Sequence, residues 1–151
     1  MKKLTDVPVL FGRVSGAMAV YAHRRTKRGY VPATLARKKG ARSTWVTLLT
    51  REQLGDMDAS EGRPNTYELT ELQKVEFSIN GSRIAPLYSY VDVAGGVMTL
   101  NGKPASLRKT NQKHAKSLLA TASGENAADW LDYVTIPGTN HPQVFSQILS
   151  R

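Results

Sequence analysis

The chain has no cysteine. That excludes disulfides and, with them, every thiolate metal site. The three histidines, His23, His114 and His141, are too widely spaced to read as a zinc-ligand set. No apolar run approaches the roughly 20 residues that span a bilayer. Two lysines follow Met1, but no apolar stretch long enough for a signal peptide comes after them. A soluble, cytoplasmic protein is the expectation. There is no Walker-type phosphate loop and no dinucleotide fingerprint, and no serine has the setting of a nucleophile elbow. Gly95-Gly96 reads as a turn between strands. Neither a metal nor a cofactor is expected.

Acid is scarce at one end. Residues 1–43 carry eleven Lys/Arg and a single acid, Asp6, whereas the remainder carries ten basic and eleven acidic residues. The net charge of +9 therefore belongs to the first third of the chain. A field so lopsided attracts polyanions and acidic ligands. The rest of the composition is ordinary: 151 residues, 40% hydrophobic and 22% charged, read as one domain over residues 1–151 with enough chain to bury a core.

Val14–Arg24 reads as a strand, with Gly16 marking a bend or a close backbone approach. Thr26–Gly29 reads as a basic turn, Tyr30–Ala36 as a short extended piece at a sheet edge because of Pro32, and Arg37–Arg42 as a second basic turn around Gly40. Ser43–Leu49 is rich in β-branched and aromatic residues and predicts a strand. Thr50, with Gln53 three positions on, is a capping box and predicts a helix over about Arg51–Ala59. Asn80-Gly81 between two extended runs predicts a hairpin, since both residues tolerate positive φ. Val97–Leu100 and Asn101-Gly102 predict a further strand and turn. Helical spacing of Ala115, Leu118, Leu119 and Ala122 predicts a helix over Asn111–Ala122. Two more helices are expected, over Gly124–Tyr133 and from His141-Pro142 onward, the latter with Val144, Ile148 and Leu149 as its stripe. The expected class is α+β: a mainly antiparallel, barrel-like sheet with short helices and a helical C-terminal tail.

Three stretches resemble the gamma-glutamylcyclotransferase-like superfamily. They are Arg13–Gly16 through Val20-Tyr21-Ala22 to Val31–Leu35, then Trp45–Leu54, then Met57-Asp58-Ala59-Ser60-Glu61-Gly62 followed by Tyr67. The last is similar to that family's "LD-x-x-EG…Y" signature. The resemblance covers about residues 13–100. It implies cyclisation of a γ-glutamyl amide to 5-oxoproline with release of an amine, Glu61 being the catalytic acid and base. Tyr67, Tyr88 and Tyr90, on the strands that follow, would line the substrate pocket. Family enzymes open with a strand ending in a "YGSN"-like turn whose amides hold the substrate. No such turn precedes Arg13; Phe11–Gly16 is its only imitation and is read here as strand.

A second reading rests on the basic residues themselves. It takes the chain as a non-catalytic module that holds a polyanion, such as nucleic acid, or a protein partner. Arg24, Arg25, Lys27 and Arg28 form one cluster, and Arg37, Lys38, Lys39 and Arg42 another. Such groups release counterions from a phosphate backbone without reading sequence. Tyr21 and Tyr30 lie near them in sequence as candidates for stacking on bases. A third cluster runs from Arg108-Lys109 through Lys113 to Lys116.

Overall fold

The computed structural model describes residues 7–63 and 65–136, and the backbone of 144–149. Two long strands form its spine. Val9–Tyr21 (β1) and Ala33–Thr50 (β2) pair antiparallel from Val9↔Thr47 to Tyr21↔Ala33. The segment expected as a second basic turn, Arg37–Arg42, is the middle of β2. Ser15 pairs with Ala41 but Gly16 pairs with Lys38, so Lys39 and Gly40 are extra residues on β2. Gly40 has φ +93°, which here serves a bulge and not a chain reversal. Across from it Gly16 also has positive φ, +95°, and a Cβ there would lie 2.6 Å from the Lys74 carbonyl oxygen. The close backbone approach expected at Gly16 is present.

Arg51–Ser60 (α1) follows β2 directly. Its capping box is formed: Thr50 Oγ1 accepts from Gln53 N–H at 3.3 Å, and Gln53 Oε1 accepts from Thr50 N–H at 2.9 Å. Replacing Thr50 by alanine is expected to cost about 1 kcal/mol, read as a lowered urea midpoint with an unchanged slope. A midpoint equal to the wild type's would show that packing alone holds the helix start.

Four strands come next: Tyr67–Leu72 (β3), Glu76–Ile79 (β4), Ser82–Ile84 (β5) and Tyr88–Asp92 (β6). The expected hairpin turns at Asn80-Gly81, at φ +49° and +80°. Its arms split, however. β4 and β5 pair with each other and β4 joins β1, whereas β3 pairs with β6.

The rest of the chain supplies Val97–Leu100 (β7), Lys103–Pro104 (β8), Gln112–Leu118 (α2), Ser123–Glu125 (β9), Tyr133–Thr135 (β10) and Val144–Leu149 (β11). The larger sheet runs β10-β3-β6-β11-β2-β1-β4-β5, and the smaller β8-β7-β9. Among the described residues all pairings are antiparallel except the single β11–β6 contact at Gln147↔Tyr88.

This order forces the larger sheet to curl. Leu72 at the end of β3 and Glu76 at the start of β4 are four Cα steps apart, a reach of at most about 14 Å. In a flat sheet the five strand spacings between them would take about 24 Å. The expected barrel-like shape is corrected to an open, curled sheet: β10 and β5 stand at its two ends, and no described pairing joins them. Phe77, Val14, Val46, Leu72, Val91 and Leu131 fill the main core.

The helical tail is also corrected. α2 is a seven-residue helix that buries Ala115 and Leu118, the expected stripe, against Tyr21, Val31 and Met98. The helix expected over Gly124–Tyr133 is replaced by β9, one 3-10 turn at Ala127–Asp129, and β10. Glu125 is held in the strand, its carboxylate accepting from Thr99 Oγ1 and Trp130 Nε1, each at 2.9 Å. Residues 144–149 form a strand along β2 from Val144↔Thr50 to Leu149↔Trp45, where a last helix was expected. An edge of β2 left bare would present unpaired amides and carbonyls, and pairing overrides the helical spacing of the apolar residues. His141-Pro142, the expected start of that helix, lies outside the described residues.

No helix among the described residues is long and apolar enough to cross a membrane.

Candidate functional site

Strand alternation assembles one face of the site. On β3 Tyr67, Leu69 and Glu71 stand opposite Asp92, Tyr90 and Tyr88 of β6. Side chains two apart share a face, so all three tyrosines come to the same side of the sheet. Helix α1 covers that side. Its fully buried Leu54 packs with Leu49, Leu69, Tyr88 and Tyr90, and Met57 and Tyr67 border the cluster.

Glu61 is the residue after α1, its N–H donating to Met57 O at 2.9 Å. Its side chain is half-buried at the margin of this cluster, and no described donor or cation meets the carboxylate. Burial without a compensating hydrogen bond disfavours the charged form, so its pKa is raised above the ordinary carboxylate value. Tyr67 is pushed up to about 12, first by burial and then by Asp92, with Arg24 opposing and Glu61 adding to the rise. Tyr90 is raised by burial, then by its hydrogen bond to Asp58 and that group's charge, and further by Glu61. Glu61 is thus close enough for its charge to reach both phenols. Tyr88 lies farther along the same face, raised by burial and then by Glu71.

Two ion pairs brace the site, and of their four residues sequence reasoning assigned a site role to Arg24 alone, as a polyanion contact. Tyr90 Oη donates to Asp58 Oδ1, and Arg63 Nη1 pairs with Asp58 Oδ2 at 2.7 Å. Arg63 also donates to Ile136 O at 3.1 Å. Asp58 precedes Glu61 by three residues, a spacing that puts both on one side of the helix end. The second pair is Arg24 Nε to Asp92 Oδ2 at 2.6 Å, with the Asp92 side chain 0% exposed. Asp92 takes Gly95 N–H as well, at 2.7 Å, and the Arg24 guanidinium stacks over the Tyr67 ring at 5.4 Å. Tyr67 Oη donates to Ala33 O at 3.2 Å. Continuing the alternation of Tyr88 and Tyr90 would have pointed to Asp92.

A cleft of about 440 Å³ adjoins this brace, lined by Asp92–Gly96, Gly124–Ala127 and Tyr133. Neither it nor two smaller clefts among the described residues takes in Glu61. The segment Phe11–Gly16, the one imitation of a substrate-holding turn, is continuous β1 with Gly12 paired to Thr44.

Three of the candidate basic residues are already engaged within the chain. Arg24 is committed to Asp92, and Arg37 to Asp132 at 2.9 Å. Arg42 donates to Ala17 O at 2.5 Å and to Lys39 O at 3.3 Å. Arg25, Lys27, Arg28, Lys38 and Lys39 are exposed. Tyr21, expected as a base-stacking aromatic, is buried with its hydroxyl on Thr110 O at 2.8 Å, and only Tyr30 is exposed. No group of three or more His, Asp or Glu side chains suited to a metal ion occurs among the described residues.

Fold and site together define a sheet-rich α+β protein with an uncompensated carboxyl at a helix end. Comparison of the chain with family models, curated proteins and solved structures gives no match.

Proposed function

We propose that the chain is a gamma-glutamylcyclotransferase-like protein that converts a γ-glutamyl amide to 5-oxoproline and a free amine. A cytoplasmic setting belongs to the same reading. The observation that carries it is the Glu61 carboxyl, half-buried beside two tyrosines and given no stabilising donor among the described residues. Such a group takes and returns a proton near neutrality more readily than a solvated one.

Glu61 would accept a proton from the substrate's α-ammonium. The freed amine nitrogen then attacks the γ-carbonyl carbon and closes a five-membered lactam. The bond from that carbon to the leaving nitrogen breaks, and Glu61 returns the proton to the departing amine. The freed Glu61 carboxylate then removes the second proton from the ring nitrogen and passes it to the released amine, which departs as ammonium, so Glu61 ends as it began and no redox partner is needed. Tyr67 and Tyr90 would form the wall against which the glutamyl chain lies. Asp58 and Arg63 would hold Tyr90 in place, while Tyr88 extends the same wall.

The test is direct. Purified protein is incubated with γ-glutamyl amides, and 5-oxoproline and amine are quantified together. The expected result is equal amounts of both, with turnover lost in Glu61→Gln. Absence of 5-oxoproline from γ-glutamyl amino acids and γ-glutamyl amines alike would end the proposal.

A further inference from the structure

The bulge in β2 creates a second site that the Glu61 reading does not use. Lys38 and Arg42 flank the bulge, and Arg108 and Lys109 come from the loop after β8. The sequence separates these pairs by 66 residues, yet all four line one cleft of about 220 Å³. Backbone contacts fix their approach. Leu107 N–H donates to Ala19 O at 3.3 Å, and Ser106 bridges to Val20. Ser106 Oγ accepts from Arg108 N–H at 3.2 Å, and Ser106 O from Lys109 N–H at 3.2 Å, which turns the loop over the cleft. The Arg42 guanidinium is anchored to Ala17 and Lys39 carbonyls, so one cation is held in place before any ligand arrives.

None of the lining residues is acidic, and the apolar contribution is Met18 and Ala19 alone. Four like charges held this close repel one another, and a multivalent anion relieves the repulsion. The cleft is smaller than the roughly 300–1,000 Å³ of pockets that take drug-sized ligands. It also offers no aromatic platform on which a nucleic-acid base would stack. We infer that Lys38, Arg42, Arg108 and Lys109 form a binding site for a small polyphosphate group, such as a diphosphate or triphosphate. Ser106 Oγ supplies a neutral hydroxyl beside the cations.

Titration calorimetry of the whole chain with pyrophosphate and tripolyphosphate tests this. Both should bind in one-to-one stoichiometry, with affinity falling as salt is raised. Lys38→Gln and Lys109→Gln should each weaken binding about tenfold, the loss expected for one charge-assisted contact. Lys103→Gln, an exposed lysine outside the cleft, should bind as the wild type does. Failure of both anions to bind at low salt overturns the inference, as does binding that Lys38→Gln and Lys109→Gln leave unchanged. A single-stranded oligonucleotide serves as the competing probe. Affinity that grows with its length while tripolyphosphate stays silent also overturns the inference, replacing the cleft with an extended track. Because the readout is anion binding, it stands or falls apart from the 5-oxoproline assay.

Discussion

Replacing Glu61 by glutamine should lower 5-oxoproline release by about 10²- to 10⁴-fold, the span expected when a positioned acid–base group is lost. Glutamine preserves shape and cannot shuttle a proton, so the loss should fall on turnover and not on substrate affinity. The wild-type rate should rise with pH as Glu61 ionises. Because burial raises that pKa, the acid limb should lie above the ordinary carboxylate range. Stability should carry the same signature with the opposite slope. A carboxyl whose folded-state pKa exceeds its unfolded value binds more protons when folded. Its stabilising contribution is complete below the unfolded pKa and is lost as pH rises through the folded one. Glu61→Gln, which cannot ionise, should therefore gain stability relative to the wild type across that window. Full activity in the mutant, or an acid limb at the pKa of a solvated glutamate, would remove Glu61 from the chemistry.

The largest effect on stability is expected at Asp92. Its carboxylate is wholly inside, shared between Arg24 and the Gly95 amide. Asp92→Ala leaves a largely buried guanidinium with no counter-charge, a change that costs about 3–5 kcal/mol. The penalty comes from stranding the partner more than from losing the pair. Removing both charges, as in Asp92→Leu with Arg24→Met, should thus recover much of the loss, and the double-mutant cycle in urea measures how much. A cost for Asp92→Ala near the ~1 kcal/mol of a surface pair would mean that water reaches the carboxylate. The same substitution should disturb Tyr67, since Arg24 would no longer be held over its ring.

Local chemistry was the legible part of this fold. The capping box at Thr50 and Gln53, the Asn80-Gly81 turn and the close approach at Gly16 each follow from a residue's own conformational or hydrogen-bonding range. Where the reading failed, a distant partner had overruled local preference. Gly40 sits in a basic segment that resembles a turn, yet the ladder with β1 continues past it and absorbs two extra residues as a bulge. Gly124–Tyr133 and the segment from Val144 were expected as helices, but the edges of β7, β3 and β2 take the two ends of the first and the whole of Val144–Leu149 as strands. Of the proposed site, Glu61 and the three tyrosines were named through the family resemblance, and strand pairing brings the tyrosines to one face of the sheet. Arg24 and Asp92 were not paired in advance, since 68 residues separate them and nothing local marks either as a partner.

The sequence alone settled the absence of thiol chemistry, the placement of excess positive charge in the first third, and the start of the helix that precedes Glu61. Each of these depends on residue identity or on neighbours within one turn. Only the tertiary structure decided that the sheet curls without a described closure, that Arg24 and Arg37 are spent on carboxylates, and that Lys38 and Arg42 meet Arg108 and Lys109. Those outcomes turn on which strand edges find each other. That is a competition among pairings far apart in the chain, and the winner is set by the burial and hydrogen bonding of the whole sheet.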